Sequence, residues 1–142
     1  MSATREHELI VAMVARYIRQ QGYELVALEC SLSWLFGESF RLPPSITLHR
    51  PDILGVRKEP PLICIGEGKT RNDLRSTRTR QQLKDFAEAS VEGKSSGCEV
   101  VVGIPDDCKP RLENVFNSLG IPLGRIKIIP VPNALLTNHA RR

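Results

Sequence analysis

Arg50-Pro51-Asp52-Ile53-Leu54 and, after a polar break, Ile63-Cys64-Ile65-Gly66-Glu67-Gly68-Lys69 decide how this chain folds. Each is an apolar run with an acid at one end. The intervening Lys58-Glu59-Pro60-Pro61 reads as the turn of a β-hairpin, because proline cannot donate to a ladder and suits a turn. A hairpin symmetric about Glu59 and Pro60 pairs residues whose numbers sum to 119, which sets Asp52 opposite Glu67. Opposed side chains have Cβ atoms roughly 4.5–5.5 Å apart, and like charges there destabilise a sheet. A divalent cation between the two reverses the sign, since hard cations seek carboxylate oxygens. Lys69, two residues beyond Glu67, falls on the same face by strand alternation. A slip of one residue in register would send one partner to the opposite face.

Around this hairpin, with arms at residues 46–56 and 62–67, hydrophobic periodicity orders the other elements. Leu9, Ile10, Met13, Val14, Tyr17 and Ile18 predict an amphipathic helix over 6–21, closed by Gly22. Residues 23–30 read as a strand, and 31–45 as a loop or short hairpin in which Trp34 and Phe36 are either tucked apolar residues or a stacking surface for bases. A second helix is expected over 73–91, with Leu83, Phe86, Ala87 and Ser90 facing the core, followed by a Gly-Lys-Ser-Ser-Gly loop. The run 98–104 is nearly continuous apolar and β-branched, the mark of a strand covered on both faces. Lys109 to Leu119 forms a helix closed at Gly120, 125–131 the last strand, and 132–142 a loosely ordered tail. The prediction is one domain over 1–131, an α/β protein with a mixed sheet between helices.

Pro51-Asp52 and Glu67-Gly68-Lys69, set in an α-β-β-β-α-β order, resemble the PD and (D/E)xK elements of the PD-(D/E)xK nucleases, whose restriction-endonuclease-like fold has an αβββαβ core. The resemblance spans nearly the whole chain. It implies a metal-dependent nuclease that hydrolyses phosphodiester bonds of DNA, an endonuclease in the manner of the small Holliday-junction-resolvase-like and RecB-like members, and a homodimer. Asp52 and Glu67 would hold Mg²⁺ or Mn²⁺, with Lys69 completing the catalytic set.

Two helical positions extend it. At about 100° per residue, Glu6 lies over Leu9, Ile10, Met13 and Tyr17, and an inward carboxylate is costly unless paired or metal-bound. A first-turn acid that complements the helix dipole is the alternative. Glu6-His7-Glu8-Leu9 resembles the Glu-x-Glu-Leu-like context of the resolvase branch, which implies Glu6 as a further metal ligand, with Glu8 as its substitute. Gln82-Leu83-Lys84-Asp85-Phe86 resembles the Gln-x-x-x-Tyr element of RecB-like relatives, with phenylalanine for tyrosine. Helical phase selects Gln82 over Gln81, for orienting the site or touching nucleic acid. An ordinary boundary glutamine is the other reading.

Composition sets outer limits. With 142 residues, 41% hydrophobic and 25% charged, the chain is long enough for one substantial core, and no apolar run approaches the roughly 20 residues that span a bilayer. A cytoplasmic protein is expected. Cys30, Cys64, Cys98 and Cys108 contain no CxxC pair and read as free thiols. The net charge of +4 is modest, but Lys69, Arg71, Arg75, Arg78, Arg80 and Lys84 crowd one stretch. They form either a solvated face or a phosphate-binding surface, for which Arg71, Arg75, Arg78 and, before the acid, Arg50 are the candidates. His49 precedes Arg50 as a surface histidine or a phosphate contact. Gly68-Lys69-Thr70 is no Walker loop, because Ile63 stands where the pattern needs glycine. An inactive nucleic-acid-binding or assembly module on the same fold is the competing functional class.

Overall fold

Five strands form one sheet in the order in which the chain lays them down: β1 (Glu24–Leu28), β2 (Ile53–Arg57), β3 (Leu62–Gly68), β4 (Cys98–Pro105) and β5 (Lys127–Val131). The computed structural model describes residues 4–45, 48–59, 61–92 and 98–140. β2 pairs antiparallel with both β1 and β3, whereas β3, β4 and β5 run parallel, so β2 alone opposes the rest. Parallel neighbours need crossovers, and two helices supply them: α2 (Thr77–Glu92) between β3 and β4, α3 (Lys109–Leu119) between β4 and β5.

One face of the sheet is covered by α1 (Arg5–Gln20), whose Ile10, Val11, Val14 and Ile18 pack with Ile53, Cys64 and Val101. The other is covered by α2 and α3, through Leu83, Phe86, Leu112, Val115 and Phe116 against Ile65, Val100, Val102 and Ile104. The chain is thus an α/β protein with a mixed sheet flanked by helices. Ile53 pairs with Gly66 and Leu54 with Ile65, the register expected from the proline turn. Pro60 itself lies outside the described residues.

Several expectations need correction. Of the arm 46–56, residues 46 and 47 are outside the described residues, and 48–52 belong to no strand. The Leu48 and His49 N–H groups donate instead to Asp85 Oδ2 on α2, at 3.2 and 3.1 Å, and His49 Nδ1 lies 3.1 Å from the same oxygen. Asp85 thus takes the donors a strand partner would use, and β2 starts only at Ile53. The second helix starts four residues late. Asp73–Arg75 is a 3₁₀ turn, and Ser76 caps α2 by accepting the Thr79 N–H at 3.0 Å. The loop 93–97 and the Ser90 side chain lie outside the described residues. The tail is not loose: Asn133–Ala140 forms a further helix, α4, which lies against α1 and buries Leu136. Trp34, in a 3₁₀ turn at Ser33–Phe36, is 68% exposed rather than tucked.

The four cysteines are separate thiols. Burial pushes Cys30 and Cys64 up to about 12, which keeps both protonated at neutral pH and poorly nucleophilic. No helix among the described residues is long and apolar enough to cross a membrane.

Candidate functional site

Alternation along β3 decides what faces where. Ile65 points to the core under α2 and α3, Cys64 to the core under α1, so Glu67 follows Ile65 while Gly66 and Gly68 floor the α1 side. These glycines are needed for close approach. A Cβ at Gly66 would lie 2.7 Å from Ile18 Cδ1, at Gly68 2.8 Å from Val11 Cγ2, and at the neighbouring Gly103 2.3 Å from Val14 Cγ2. With the floor cleared, α1 lies directly on the sheet and its first turn reaches the carboxyl end of β3.

There each acid accepts a backbone N–H from the segment that carries the other. The Asp52 N–H donates to Glu67 Oε1 at 3.0 Å, and the Gly68 N–H donates to Asp52 Oδ2 at 2.9 Å. Lys69 Nζ lies 3.5 Å from Glu67 Oε2 and donates to Gln82 Oε1 from α2. His7 of α1 places Nε2 3.4 Å from Asp52 Oδ2. Glu67 is 2% exposed, Lys69 7% and Gln82 6%, so their charges and dipoles act with little screening from water. The groups line a cavity of about 310 Å³, with Arg78 on its wall.

Electrostatics divides the pair. Burial first, and then the negative charge of Asp52, push the Glu67 carboxyl well above its ordinary value, against the pull of Lys69. Burial also opposes ionisation of Asp52, but hydrogen bonds with His7 and Glu67 outweigh it and hold the group below the usual carboxylate range. The hydrogen bond to Asp52 raises His7 although burial lowers it. Within the pair, Glu67 is thus the acid that holds its proton more tightly and Asp52 the one that ionises first.

That donor set suits a hard divalent cation. A cation between the acids would remove the repulsion that holds the proton, and Mg²⁺ commonly takes only one or two carboxylates, leaving positions for water and phosphate. Among the described residues no group of three or more His, Cys, Asp and Glu side chains is arranged to hold a metal ion, so the protein's contribution would be the two acids, with His7 beside them.

The structure brings Asp52, Glu67, Lys69 and Gln82 into one cavity, and Gln81 points outward as its phase requires. Glu6 is not on that cavity's wall; it lines the next one. Glu8 is committed elsewhere, accepting the Ser31 N–H and hydroxyl at 2.5 and 3.0 Å. His7 takes the place expected of Glu6 for a physical reason. The buried stripe of α1 runs through Ile10, Val11, Val14, Ala15 and Ile18, while Leu9, Met13 and Tyr17 are only half-buried. His7, three and four residues before Ile10 and Val11, continues that stripe. The signal was present in Val11 and Ala15, which widen the apolar face toward the side His7 occupies. Of the four arginines expected to touch nucleic acid, Arg78 lines the cavity and the other three do not. Arg50 pairs with Glu29 at 3.8 Å, Arg71 is bound by both Asp107 oxygens, and Arg75 is exposed. His49 serves the loop through Asp85. No family model, no curated protein and no solved structure matches this chain.

Proposed function

We propose that the protein is a metal-dependent nuclease of the PD-(D/E)xK type that hydrolyses phosphodiester bonds of DNA by internal cleavage. The observation that carries this reading is the reciprocal bonding of Asp52 and Glu67 in one cavity with the buried Lys69. The element order α1-β1-β2-β3-α2-β4 supports it as well, since it is the αβββαβ succession of that fold.

Asp52 and Glu67 are the groups to hold Mg²⁺ or Mn²⁺. The chemistry supplied by such an ion when bound is Lewis-acid polarisation of the scissile phosphate. Lys69 presents an ammonium, steadied by Gln82, to the charge that develops on the phosphoryl oxygens. Gln82 is a positioning residue acting through Lys69. His7, with Nε2 3.4 Å from Asp52 Oδ2, orients that carboxylate. Arg78 on the cavity wall neutralises the phosphate backbone as the strand enters.

The test incubates plasmid and branched DNA with wild type, Asp52→Ala and Lys69→Ala in Mg²⁺ or Mn²⁺. Cleavage by wild type that falls by about a hundredfold to a thousandfold in each variant is the expected result. DNA binding without cleavage in either metal would sink the reading in favour of an inactive nucleic-acid-binding module.

A further inference from the structure

A second cavity of about 350 Å³ opens beside the first, and Thr4 and Thr70 line both. Its volume lies within the range of small-ligand sites, roughly 300–1,000 Å³. The remaining wall comes from Glu6 of α1, Arg71 and Asn72 after β3, and Asn133 and Leu136 of α4. Its charges are not equally available. Arg71 is engaged by both oxygens of Asp107, at 2.7 and 2.8 Å, and Asn133 also bonds Asp107. The half-buried Glu6 carboxylate, by contrast, has no hydrogen-bond or ion-pair partner among the described residues.

A carboxylate without a donor, set beside a committed arginine, favours a neutral group that donates over phosphate. A nucleobase with an exocyclic amino group meets that requirement, because a carboxylate accepts from the amino edge of cytosine, adenine or guanine, whereas thymine has no amino group to offer, and Asn72 can both donate and accept beside it. We infer that this cavity receives the base next to the scissile phosphate, one that carries an exocyclic amino group, with Glu6 accepting from that group. The inference rests on the nuclease reading and narrows it. A base enters such a pocket only when unstacked, so the substrate is unpaired beside the cut: a single strand, a frayed end or a branch point. Glu6 is then a specificity residue rather than a metal ligand.

The experiment maps cuts made in Mn²⁺ in single-stranded oligonucleotides of mixed sequence by full-length wild type, Glu6→Ala and Glu6→Gln. Wild type should disfavour thymine at one fixed side of the cut by about fivefold. Glu6→Ala should lose that discrimination, and Glu6→Gln, which can also donate, should extend cutting to thymine. The same base profile in wild type and Glu6→Ala, or none in either, overturns the inference and leaves the nuclease reading standing. If wild type cuts nothing, the nuclease reading fails instead, and fluorescence anisotropy decides the pocket. Tighter binding of oligocytidine than oligothymidine that disappears in Glu6→Ala supports it, and equal binding overturns it.

Discussion

The two ends of the sheet both gather charge, and they settle it differently. At the end where β2 finishes and β4 begins, the Tyr23 hydroxyl donates to Glu99, and the Arg57 guanidinium lies 4.9 Å above the Tyr23 ring and donates to the Gln21 carbonyl at 3.2 Å. Lys127 lines the same small cavity. One exposed acid there meets a phenol and two cations. At the carboxyl end of β3 two acids meet one lysine and one histidine, and Glu67 is fully buried. The first leaves its acid in water and the Arg57 Nε buried without a hydrogen-bond partner among the described residues. The second buries two carboxylates together, and that burial and the negative charge of Asp52 push Glu67 up, a perturbation of the kind that gathers at functional sites.

The contrast breaks most sharply through the helix that lies over the site end. Gly103→Ala forces a Cβ to within 2.3 Å of Val14 Cγ2, and the overpacking should cost about 1–3 kcal/mol, read as a lowered urea midpoint. α1 can relieve the clash only by lifting, which carries His7 away from Asp52. Displacements of about 1 Å near a reaction centre can cost on the order of a hundredfold in rate, so DNA cleavage should fall beyond what the lost stability explains. Gly103→Ala with wild-type cleavage and stability would mean that α1 does not set the site.

Much of this was legible in the sequence because it depended on local rules. The proline turn fixed the hairpin register, and strand alternation put Lys69 on the face of Glu67. Helical phase chose Gln82 as well. What was not legible depended on contacts between distant segments. The loop before Asp52 is shaped by Asp85, thirty-six residues away from His49. Helix α4, lacking a strong apolar stripe of its own, is held by burial of Leu136 against the α1 core. Glu6 and His7 differ by 100° of helix, and the choice between them depends on which flank of a wide apolar face meets the sheet. That was set by three glycines on two strands, whose meaning emerges only once α1 is seen lying on them.

A smaller effect of opposite sign at the two ends sharpens the comparison further. Tyr23→Phe removes the donor to Glu99 at the exposed end and should lower stability by about 0.5–1.5 kcal/mol. Glu67→Gln at the buried end should abolish cleavage yet raise the stability of the metal-free protein by about 0.5–2 kcal/mol at neutral pH, since it replaces a buried acid by a neutral isostere. Denaturant melts with chelator present compare the two. Destabilisation by both variants would show that the acid pair is as settled as the Tyr23 cluster.

The pH dependence of that second effect follows from the direction of each shift. Glu67 is raised well above its ordinary value of 4.5, so between that value and its folded one the native state holds a proton that the unfolded state has lost. Stability falls with rising pH wherever the native state binds more protons. The stabilisation from this proton is complete below 4.5 and is lost as pH climbs through the folded value. Asp52, shifted below 3.8, behaves oppositely, contributing stability above that value and losing it only as pH drops through its folded one. Glu67→Gln removes the first dependence and keeps the second. Variant and wild type should therefore have nearly equal stability near pH 4.5, where the wild-type carboxyl is protonated in the folded state, and the advantage of the variant should grow as pH rises. Addition of Mg²⁺ or Mn²⁺ at neutral pH should then stabilise wild type and not Glu67→Gln, because the ion takes the place of the Glu67 proton between two carboxylates and the variant has only one. A stability gap that stays constant from pH 4.5 to neutrality, or equal stabilisation of both proteins by the ion, would show that Glu67 is not the acid that holds its proton more tightly.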